Sequence, residues 1–236
     1  MLIIENLRKE YHKVVAVNNL SLKINDNEIF CLLGVNGAGK STLIKMLSCL
    51  LKPTSGDALI NDYSIVKNPY EIKKFIAVSL QETGIARNLT VLENLYFYAK
   101  LCGVDDQNRI DEIIKNFNFQ NILNKKAKTL SGGWQRKLSI ALSLVSNPQI
   151  LLLDEPTLGL DVLSRRELWK VIEMLKKRMT IILTTHYMEE AEYLSDRIGV
   201  LKEGKLLKEG TLHELLDETK SNCLEDAFVK IVMGDK

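Results

Sequence analysis

The sequence predicts an α/β fold whose core is a mostly parallel sheet, with an N-terminal antiparallel β layer and an α-helical subdomain. Three apolar or β-branched runs, at residues 29–33, 150–153 and 180–185, are typical of strands buried on both faces of a parallel sheet. Short alternating segments precede the first run, and helix formers without strong strand patterns follow residue 82. We therefore expect a single domain over residues 1–236, made of a β layer with the first part of the core (1–82), a helical subdomain (83–147) and the rest of the core (148–236).

The length and charge of the chain limit its class. A chain of 236 residues suits one large domain, or a core with a subdomain. Its 32 basic and 30 acidic residues give a net charge of +2, so no nucleic-acid partner is expected. No run approaches the roughly 18 apolar residues that a membrane-spanning helix needs. The four cysteines stand far apart without a C-x-x-C pair, which favours reduced thiols in the cytosol.

The N-terminal segments predict three short strands, at Leu2–Ile4, Val14–Val17 and Ser21–Ile24. Polar turns are expected on either side of the third strand, at residues 18–19 and 25–27. Tyr11 lies at the turn between the first two strands. It is either a half-exposed aromatic residue at a strand end or a ring that stacks on adenine, and its position favours neither.

Residues 34–41 fit the spacing G-x-x-x-x-G-K-S of a phosphate-binding loop, between an apolar strand and a segment with helical spacing. Glycines let the backbone approach phosphate oxygens closely, so that successive N–H groups point at the anion. Lys40 is placed to reach the β- and γ-phosphates of a nucleotide, and the Ser41 hydroxyl to hold Mg²⁺. The candidate nucleotide-binding residues are Asn36, Gly37, Ala38, Gly39, Lys40, Ser41 and Thr42.

Beyond the loop helix, a turn is predicted at Pro53–Gly56 and strands at Ala58–Ile60 and Ile76–Leu80. Gln81 follows the second of these strands. In open α/β sheets, ligands bind at the carboxyl ends of strands, which makes Gln81 a candidate contact for Mg²⁺ or water. The alternative is an ordinary solvated loop glutamine.

The helical subdomain begins with a capping box, Thr90 with Glu93, and its first helix is expected to end near Gly103. Its consecutive aromatics Tyr96, Phe97 and Tyr98 cannot all face one stripe, so at least one should lie at the surface. Core packing would account for most of them and a docking site for the remainder. A second helix is predicted at Ile110–Phe117.

Ser131, Gly132 and Gly133 open a further predicted helix. Ser131 can cap it, and the glycines expose backbone N–H groups at the positive end of the helix dipole. This segment is either a second anion-binding surface or a plain helix cap.

Polar residues end two of the buried strands. Asp154 suits Mg²⁺, whereas Glu155, on the opposite side of the strand, suits polarising a water for attack on the γ-phosphate. The alternative is a pair of solvated loop acids. His186 follows the strand at 180–185 and could donate a hydrogen bond to the γ-phosphate, although a lone histidine there is usually structural. His12 and His213 are expected at the surface.

Taken in chain order, these segments resemble the ATPase subunit of an ATP-binding cassette (ABC) transporter. Residues 34–41 are similar to its Walker A loop, and residues 150–155 to its Walker B strand. The discriminating segment is 130–133, Leu-Ser-Gly-Gly, which is similar to the family signature, because many unrelated nucleotidases share the Walker pair. Single residues look like the Q-loop glutamine, the D-loop aspartate, the switch histidine and the adenine-stacking aromatic, namely Gln81, Asp161, His186 and Tyr11.

Three residues depart from the family pattern. Trp134 stands where the signature usually continues with glutamine, and Val35 and Val162 stand where proline is common. The contacts of side chain 134 are therefore expected to differ from those of the family. Neither valine should touch phosphate.

The resemblance implies a P-loop NTPase core of the RecA-like type that binds ATP and Mg²⁺ and hydrolyses ATP. The implied catalytic residues are Lys40, Glu155 and His186, and the implied metal contacts are Ser41, Gln81 and Asp154. Two cassettes, expected to form a homodimer, would meet head to tail around two ATP. Each Walker A loop would then face Ser131, Gly132 and Gly133 of the other copy.

The resemblance also implies partners and a location. Separately encoded transmembrane permease subunits would hold the cassette peripherally on the cytoplasmic face of the cell membrane. Residues 185–192 and 224–228 look most like cassettes of exporters of drugs, lipids, polysaccharides or ions. The chain ends at Lys236, without the regulatory extension of many sugar importers, so export is expected.

Other classes share parts of this pattern. Cassette ATPases of chromosome maintenance carry long coiled coils between Walker A and the signature, and residues 42–129 lack sustained heptads. Translation-factor cassettes usually occur in pairs, and this chain has no internal repeat. A non-hydrolysing nucleotide sensor would have no need of the Glu155 carboxylate. A soluble ABC-type ATPase of translation or chromosome maintenance stays as the alternative.

Overall fold

The computed structural model describes residues 1–234, through which ten strands run. In chain order they are β1 (Leu2–Tyr11), β2 (Val14–Ile24), β3 (Ile29–Leu33), β4 (Ser55–Ile60), β5 (Tyr63–Ser64), β6 (Ile76–Ser79), β7 (Ile150–Asp154), β8 (Thr180–Thr185), β9 (Arg197–Lys202) and β10 (Lys205–Gly210). A four-stranded antiparallel sheet has the order β2-β1-β4-β5, and a six-stranded sheet the order β10-β9-β3-β8-β7-β6. The second sheet is parallel apart from its β9–β10 pair. The predicted α/β class, with an N-terminal antiparallel layer and a mostly parallel core sheet, is confirmed.

Helices cover the sheets and fill the middle of the chain. In chain order they are α1 (Lys40–Leu47), α2 (Pro69–Ile72), α3 (Val91–Leu101), α4 (Gln107–Asn116), α5 (Gly132–Ser143), α6 (Val162–Lys176), α7 (Met188–Leu194), α8 (Leu212–Thr219) and α9 (Leu224–Met233), with a short 3₁₀ helix at Ala127–Thr129. Within residues 1–234, none of these helices has the length and apolar character that crossing a membrane requires.

The parallel sheet has apolar side chains packed on both of its faces. In β3, Ile29, Cys31 and Leu33 belong to the hydrophobic cluster formed with the helical region and the C-terminal helices. The alternate residues Phe30 and Leu32 belong to a second cluster, which includes α1 and the antiparallel sheet. Because successive strand residues face opposite sides, burial of all five explains why the run is continuously apolar.

The start of the helical region follows the sequence prediction. The Thr90 hydroxyl accepts from the backbone N–H of Glu93 at 3.1 Å, and the Glu93 carboxylate accepts from the Thr90 N–H at 2.7 Å. Tyr96 and Phe97 are exposed, whereas Tyr98 packs against the core. The expectation that at least one of the three aromatics lies at the surface is therefore confirmed.

The N-terminal layer differs from its prediction. Instead of three short strands, β1 and β2 form one long hairpin, and the turn predicted at residues 18–19 is wrong because both residues lie within β2. Asn19 has a φ of 50°, and the pairing of β1 with β2 shifts register between Leu7 and Lys9. An asparagine can adopt the left-handed conformation at a β-bulge as readily as in a turn, which explains the error.

The turn predicted at Pro53–Gly56 is also wrong, because Ser55 and Gly56 begin β4. Gly56 has a φ of 75°, and a Cβ there would lie 2.2 Å from the carbonyl oxygen of Asn6. The glycine therefore permits close approach of two strands rather than a reversal of the chain.

We predict that Gly56→Ala lowers the free energy of unfolding by about 3 kcal/mol, because it combines the cost of a positive φ with a backbone clash. Chemical denaturation measures this. Gly103→Ala is the matched control: its φ is 66°, and no atom of the described chain would lie within 4 Å of the new Cβ, so about 1 kcal/mol is expected. Equal losses in the two variants would contradict the close approach at Gly56.

Candidate functional site

The register of three parallel strands brings the predicted site residues to one edge of the sheet. Leu33 at the end of β3 pairs with Thr185 of β8, and Asp154 at the end of β7 pairs with Thr184. The segments that leave these strands therefore start side by side. They carry the phosphate-binding loop, Glu155 and His186.

The loop wraps around the start of α1. Gly39 has a φ of 103°, and a Cβ there would lie 2.2 Å from the carbonyl oxygen of Ala16, so only glycine fits. Residues 36–42 line a cavity of about 450 Å³ together with Ala16, Gln81, Glu155, Leu158 and His186. The structure thus places the predicted loop residues, Gln81, Glu155 and His186 around one space.

Lys40 is buried at the floor of this loop. Its Nζ donates to the carbonyl oxygens of Gly34 at 2.6 Å and Val35 at 3.3 Å, and lies 3.1 Å from Oε1 of Glu155. An ammonium group has three donors and no acceptor, so these three oxygens match its capacity. The charge is held in place by partners at the edge of the cavity.

Asp154 is held by two hydroxyl groups. Its Oδ1 accepts from Ser41 Oγ at 3.0 Å and from Thr184 Oγ1 at 2.7 Å. The Thr184 hydroxyl also accepts from the backbone N–H of Glu155 at 3.1 Å. Hydroxyl, carboxylate and amide oxygens are hard donors, so Ser41, Asp154 and nearby Gln81 form a set whose chemistry fits Mg²⁺.

Glu155 leaves the strand with a φ of 48°, and its backbone N–H donates to the Thr184 carbonyl at 3.1 Å. Its Oε2 lies 2.8 Å from Nδ1 of His186, while Oε1 faces Lys40. Both carboxylate oxygens are therefore paired, and each keeps a lone pair for a further donor. In this geometry the carboxylate can accept a proton from a water in the cavity.

The signature segment lies apart from this cavity. Ser131 occupies the N-cap position of α5, but its hydroxyl bonds to no described N–H of the first turn, so the predicted side-chain cap is wrong. The Ser131 backbone carbonyl does have a helical role, accepting from Gln135 N–H at 2.9 Å. Among the residues described, Ser131, Gly132 and Gly133 are absent from the lining of the loop cavity.

Asp161 and Tyr11 also lie outside the cavity lining of the described chain. Asp161 is the N-cap of α6, where bonds from the Ser164 backbone and hydroxyl lower its carboxyl pKa below the usual range. Tyr11 ends β1 with 44% of its surface exposed and has Lys9 Nζ 5.2 Å from its ring. His12 and His213 are exposed, as predicted.

Trp134, the departure from the signature pattern, packs between two neighbours. Its ring centroid lies 6.1 Å from that of Phe119, and Lys137 Nζ lies 4.6 Å from the ring. The side chain thus stabilises the start of α5 against the helical region.

Arg136, a buried residue of α5, was not predicted from the sequence. Its guanidinium donates to the carbonyl oxygens of Asp154 at 3.0 Å and Pro156 at 2.9 Å, and also to that of Leu80. Burial lowers its pKa to about 10, so it stays charged at neutral pH. Arg136 thus connects α5, the helix that begins at the signature glycines, to the end of β7 and to Leu80, the residue before Gln81. In the sequence, Arg136 lies four residues before Ile140, and this spacing places it on the same apolar helix face, which could have indicated that it is buried.

Two further polar residues near the site were also missed. Thr184 stands at the fifth position of a buried strand, opposite Asp154, which is where a hydroxyl partner can reach the carboxylate. Glu190 is fully buried in α7, accepts from Trp169 Nε1 at 3.0 Å, and has its pKa raised by burial. An acidic residue such as Glu190 on the apolar face of a helix can be recognised from the sequence, but the sequence does not reveal its partner.

Comparison with known protein families points to the same family as the motifs of the site. A family described as ABC transporter matches residues 17–158. The chain belongs to the ABC transporter family. The match runs from the antiparallel layer through the Walker A loop and the signature to the residues after Walker B, so the chain is an ABC ATPase cassette.

Similar proteins come from eukaryotes and bacteria. ABC transporter A family member 6 of Dictyostelium discoideum is 44% identical over 215 residues, 88% of this chain and 13% of that protein. The human phospholipid-transporting ATPase ABCA3 is 41% identical over 81% of this chain and 11% of its own length. The doxorubicin resistance ATP-binding protein DrrA of Mycobacterium tuberculosis is 36% identical over 99% of this chain and 71% of its length. The cassette thus spans about a tenth of the A-family proteins.

Solved structures of cassettes share the fold. An ATP-binding subunit of an ABC transporter superposes with a TM-score of 0.86 at 26% identity, covering 98% of this chain and 99% of that one. A dimeric post-hydrolysis state of an ATP-binding cassette, bound to ADP and Pi, has a TM-score of 0.80 at 28% identity, covering 90% of this chain and 99% of that one.

We predict that Arg136→Met lowers the free energy of unfolding by about 3 kcal/mol, because it leaves buried carbonyl oxygens without a donor. Denaturant titration followed by circular dichroism checks this. Arg178→Met is the control: this arginine is 61% exposed and pairs with Glu112, so a loss below about 1 kcal/mol is expected. An Arg136→Met protein as stable as the control would contradict the bridging role.

Proposed function

We propose that this cassette binds ATP with Mg²⁺, hydrolyses it together with a second cassette, and so drives transport through a membrane-spanning partner. The observation that carries the proposal is the convergence of Lys40, Ser41 and Glu155 on one cavity whose lining includes no described signature residue, with Asp154 hydrogen-bonded to Ser41 behind it. Such a cavity has the groups for phosphate binding and water activation, but leaves one side for another chain.

Phosphate binding is assigned to the loop. The backbone N–H groups of residues 36–42 would face phosphate oxygens, with the positive end of the α1 dipole behind them. Lys40, whose Nζ is held by the Gly34 carbonyl at the edge of the cavity, would bind the β- and γ-phosphates. Tyr11 would stack on adenine, a role that its exposed ring at the end of β1 permits.

Ser41, Asp154 and Gln81 would hold Mg²⁺, directly or through water. Two of the three are already in contact, since the Ser41 hydroxyl donates to Asp154 at 3.0 Å. The chemistry that bound Mg²⁺ supplies is neutralisation of the charge that develops on the phosphate oxygens.

Glu155 is proposed as the residue that polarises the attacking water. Its carboxylate is fixed by Lys40 at 3.1 Å and His186 at 2.8 Å, so it can accept the proton of a water in the cavity without rearranging. His186 would keep the carboxylate in place through Nδ1, and its Nε2 would donate a hydrogen bond to the γ-phosphate when both ring nitrogens carry a proton.

The second half of the site is assigned to another cassette. Ser131, whose side chain makes no capping bond in α5, would bind the γ-phosphate of the facing chain together with Gly132 and Gly133. The likeness to a dimeric cassette bound to ADP and Pi supports this arrangement. Two identical chains meeting head to tail would form two complete sites.

A groove beside the helical region is the proposed contact with the membrane-spanning partner. It has a volume of about 620 Å³ and lies between edge strand β6, α3 and α5, with Val78, Tyr98 and Leu142 in its lining. Exposed Tyr96 and Phe97 lie on the same helix as Tyr98. An amphipathic helix of a separate transmembrane subunit would fit this apolar surface. The cassette would then sit on the cytoplasmic face of the membrane.

The direction proposed is export. It is supported by the likeness over 99% of the chain to DrrA, whose name states doxorubicin resistance, and over 81% of the chain to a phospholipid-transporting ATPase.

We predict that Glu155→Gln retains ATP binding, loses nearly all phosphate release, and elutes as a dimer with ATP and Mg²⁺, because closure no longer ends in hydrolysis. Phosphate release and size-exclusion chromatography measure this. Adding Ser131→Arg to that variant should give a monomer, since a bulky side chain would block the facing γ-phosphate. Monomers from both proteins, or phosphate release from Glu155→Gln at the unaltered rate, would contradict the split site.

We predict that Ser146→Trp in the groove lowers the fraction of cassette that co-sediments with membranes containing its transmembrane partner by about tenfold, because a large ring fills the docking space. Thermal unfolding verifies that the variant is folded. Lys115→Trp, on the exposed side of α4, is the control and should co-sediment normally. Equal co-sedimentation of both variants would place the docking surface elsewhere.

A further inference from the structure

The two signature glycines differ in how their own chain packs around them. Apart from its chain neighbours and the backbone of its own helical turn, a Cβ on Gly132 would meet no atom of residues 1–234 within 4 Å. A Cβ on Gly133 would lie 2.7 Å from Oγ and 2.9 Å from Cβ of Ser164. Carbon atoms that are not bonded prefer separations of about 3.5–4.0 Å, so the second position excludes a side chain before any ligand or second chain arrives.

Ser164 belongs to the first turn of α6 and is tied to Asp161. Its hydroxyl donates to Asp161 Oδ2 at 2.7 Å. The other carboxylate oxygen, Oδ1, accepts from the backbone N–H groups of Leu163 and Ser164, each at 3.0 Å. One side chain therefore both fills the space over Gly133 and fixes the orientation of the Asp161 carboxylate.

The contact between α5 and α6 continues one turn further on. Lys137, four residues after Gly133, forms an ion pair of 2.6 Å with Glu167, three residues after Ser164. Residues three and four apart share a helix face, so the same two faces touch in both turns. The first turns of α5 and α6 are thus packed side by side.

We propose that Ser164 is a positioning residue that holds Asp161, at the start of α6, against residues 131–133 of the same chain, so that the two segments move as one unit. For the closing of two cassettes this inference rests on the function proposed above. Each cassette then offers its partner a single preset surface made of residues 131–133 and 161. Gly133 is a glycine because of Ser164, whereas Gly132 has no such requirement within the described chain.

Thermal unfolding of the full chain without nucleotide tests the contact itself. Gly133→Ala should lower Tm by about 3 °C or more, whereas Gly132→Ala should lower it by less than about 1 °C. Ser164→Gly should remove most of the penalty of Gly133→Ala, so that the double variant is more stable than the sum of the single changes requires. Equal shifts for the two alanine variants, or strictly additive shifts, would overturn the contact.

Steady-state ATPase kinetics of Ser164→Ala test the positioning role. This variant keeps the Cβ over Gly133 and loses the hydroxyl bonded to Asp161, so kcat should fall about fivefold or more while ATP binding to the monomer stays within about twofold. Ser221→Ala, between α8 and α9, is the control. An unchanged kcat for Ser164→Ala would overturn the role. Absence of turnover in the unaltered protein would instead count against the proposed function, and the nucleotide-free unfolding data would still decide the contact.

Discussion

The register of three parallel strands is the constraint on which the site depends. Pairing of β3 with β8 and of β8 with β7 ends at the same edge, so the phosphate-binding loop, Glu155 and His186 leave the sheet next to one another. A one-residue slip in a strand buried on both faces would move each apolar side chain to the opposite cluster and carry Asp154 away from Ser41. The hydrophobic packing of β3 and β7 therefore fixes the geometry of groups that are themselves polar.

Burying the charged groups of the site is costly, and their partners show how the cost is offset. Removing one member of a buried ion pair typically costs about 3–5 kcal/mol, because the other charge is left unpaired. Here Glu155 bridges Lys40 and His186, while Arg136 donates to carbonyl oxygens on both sides of Glu155, at Asp154 and Pro156. The side chains of Lys40, His186 and Arg136 thus all bond to one short segment, residues 154–156, through the Glu155 carboxylate or backbone carbonyl oxygens. In a low-dielectric site, groups held in this way interact with a ligand strongly and need little rearrangement.

Sequence patterns predicted the parts of the fold in which local chemistry and tertiary packing agree. The apolar runs became buried strands, and Thr90 with Glu93 formed the expected capping box. The pattern misled at Asn19 and Gly56, because positive φ serves a bulge or a close strand approach as well as a turn. Arg136 and Thr184 were missed because their partners, the Leu80 carbonyl and the Asp154 carboxylate, are distant in sequence. A motif specifies which residue types are needed, and pairing of strands determines which of them meet.

The signature segment shows that a motif match does not explain why each of its residues is needed. Both glycines satisfy the same sequence pattern, yet Ser164 approaches only Gly133, from thirty-one residues further along the chain. The proposed site, divided between two chains, would place a demand on each chain that a single-chain site does not. The surface offered to a second cassette would need the right shape in advance, because contacts with its own nucleotide would not adjust it. Packing α5 against α6 at Gly133 and again at Lys137 would meet that demand with interactions internal to one cassette.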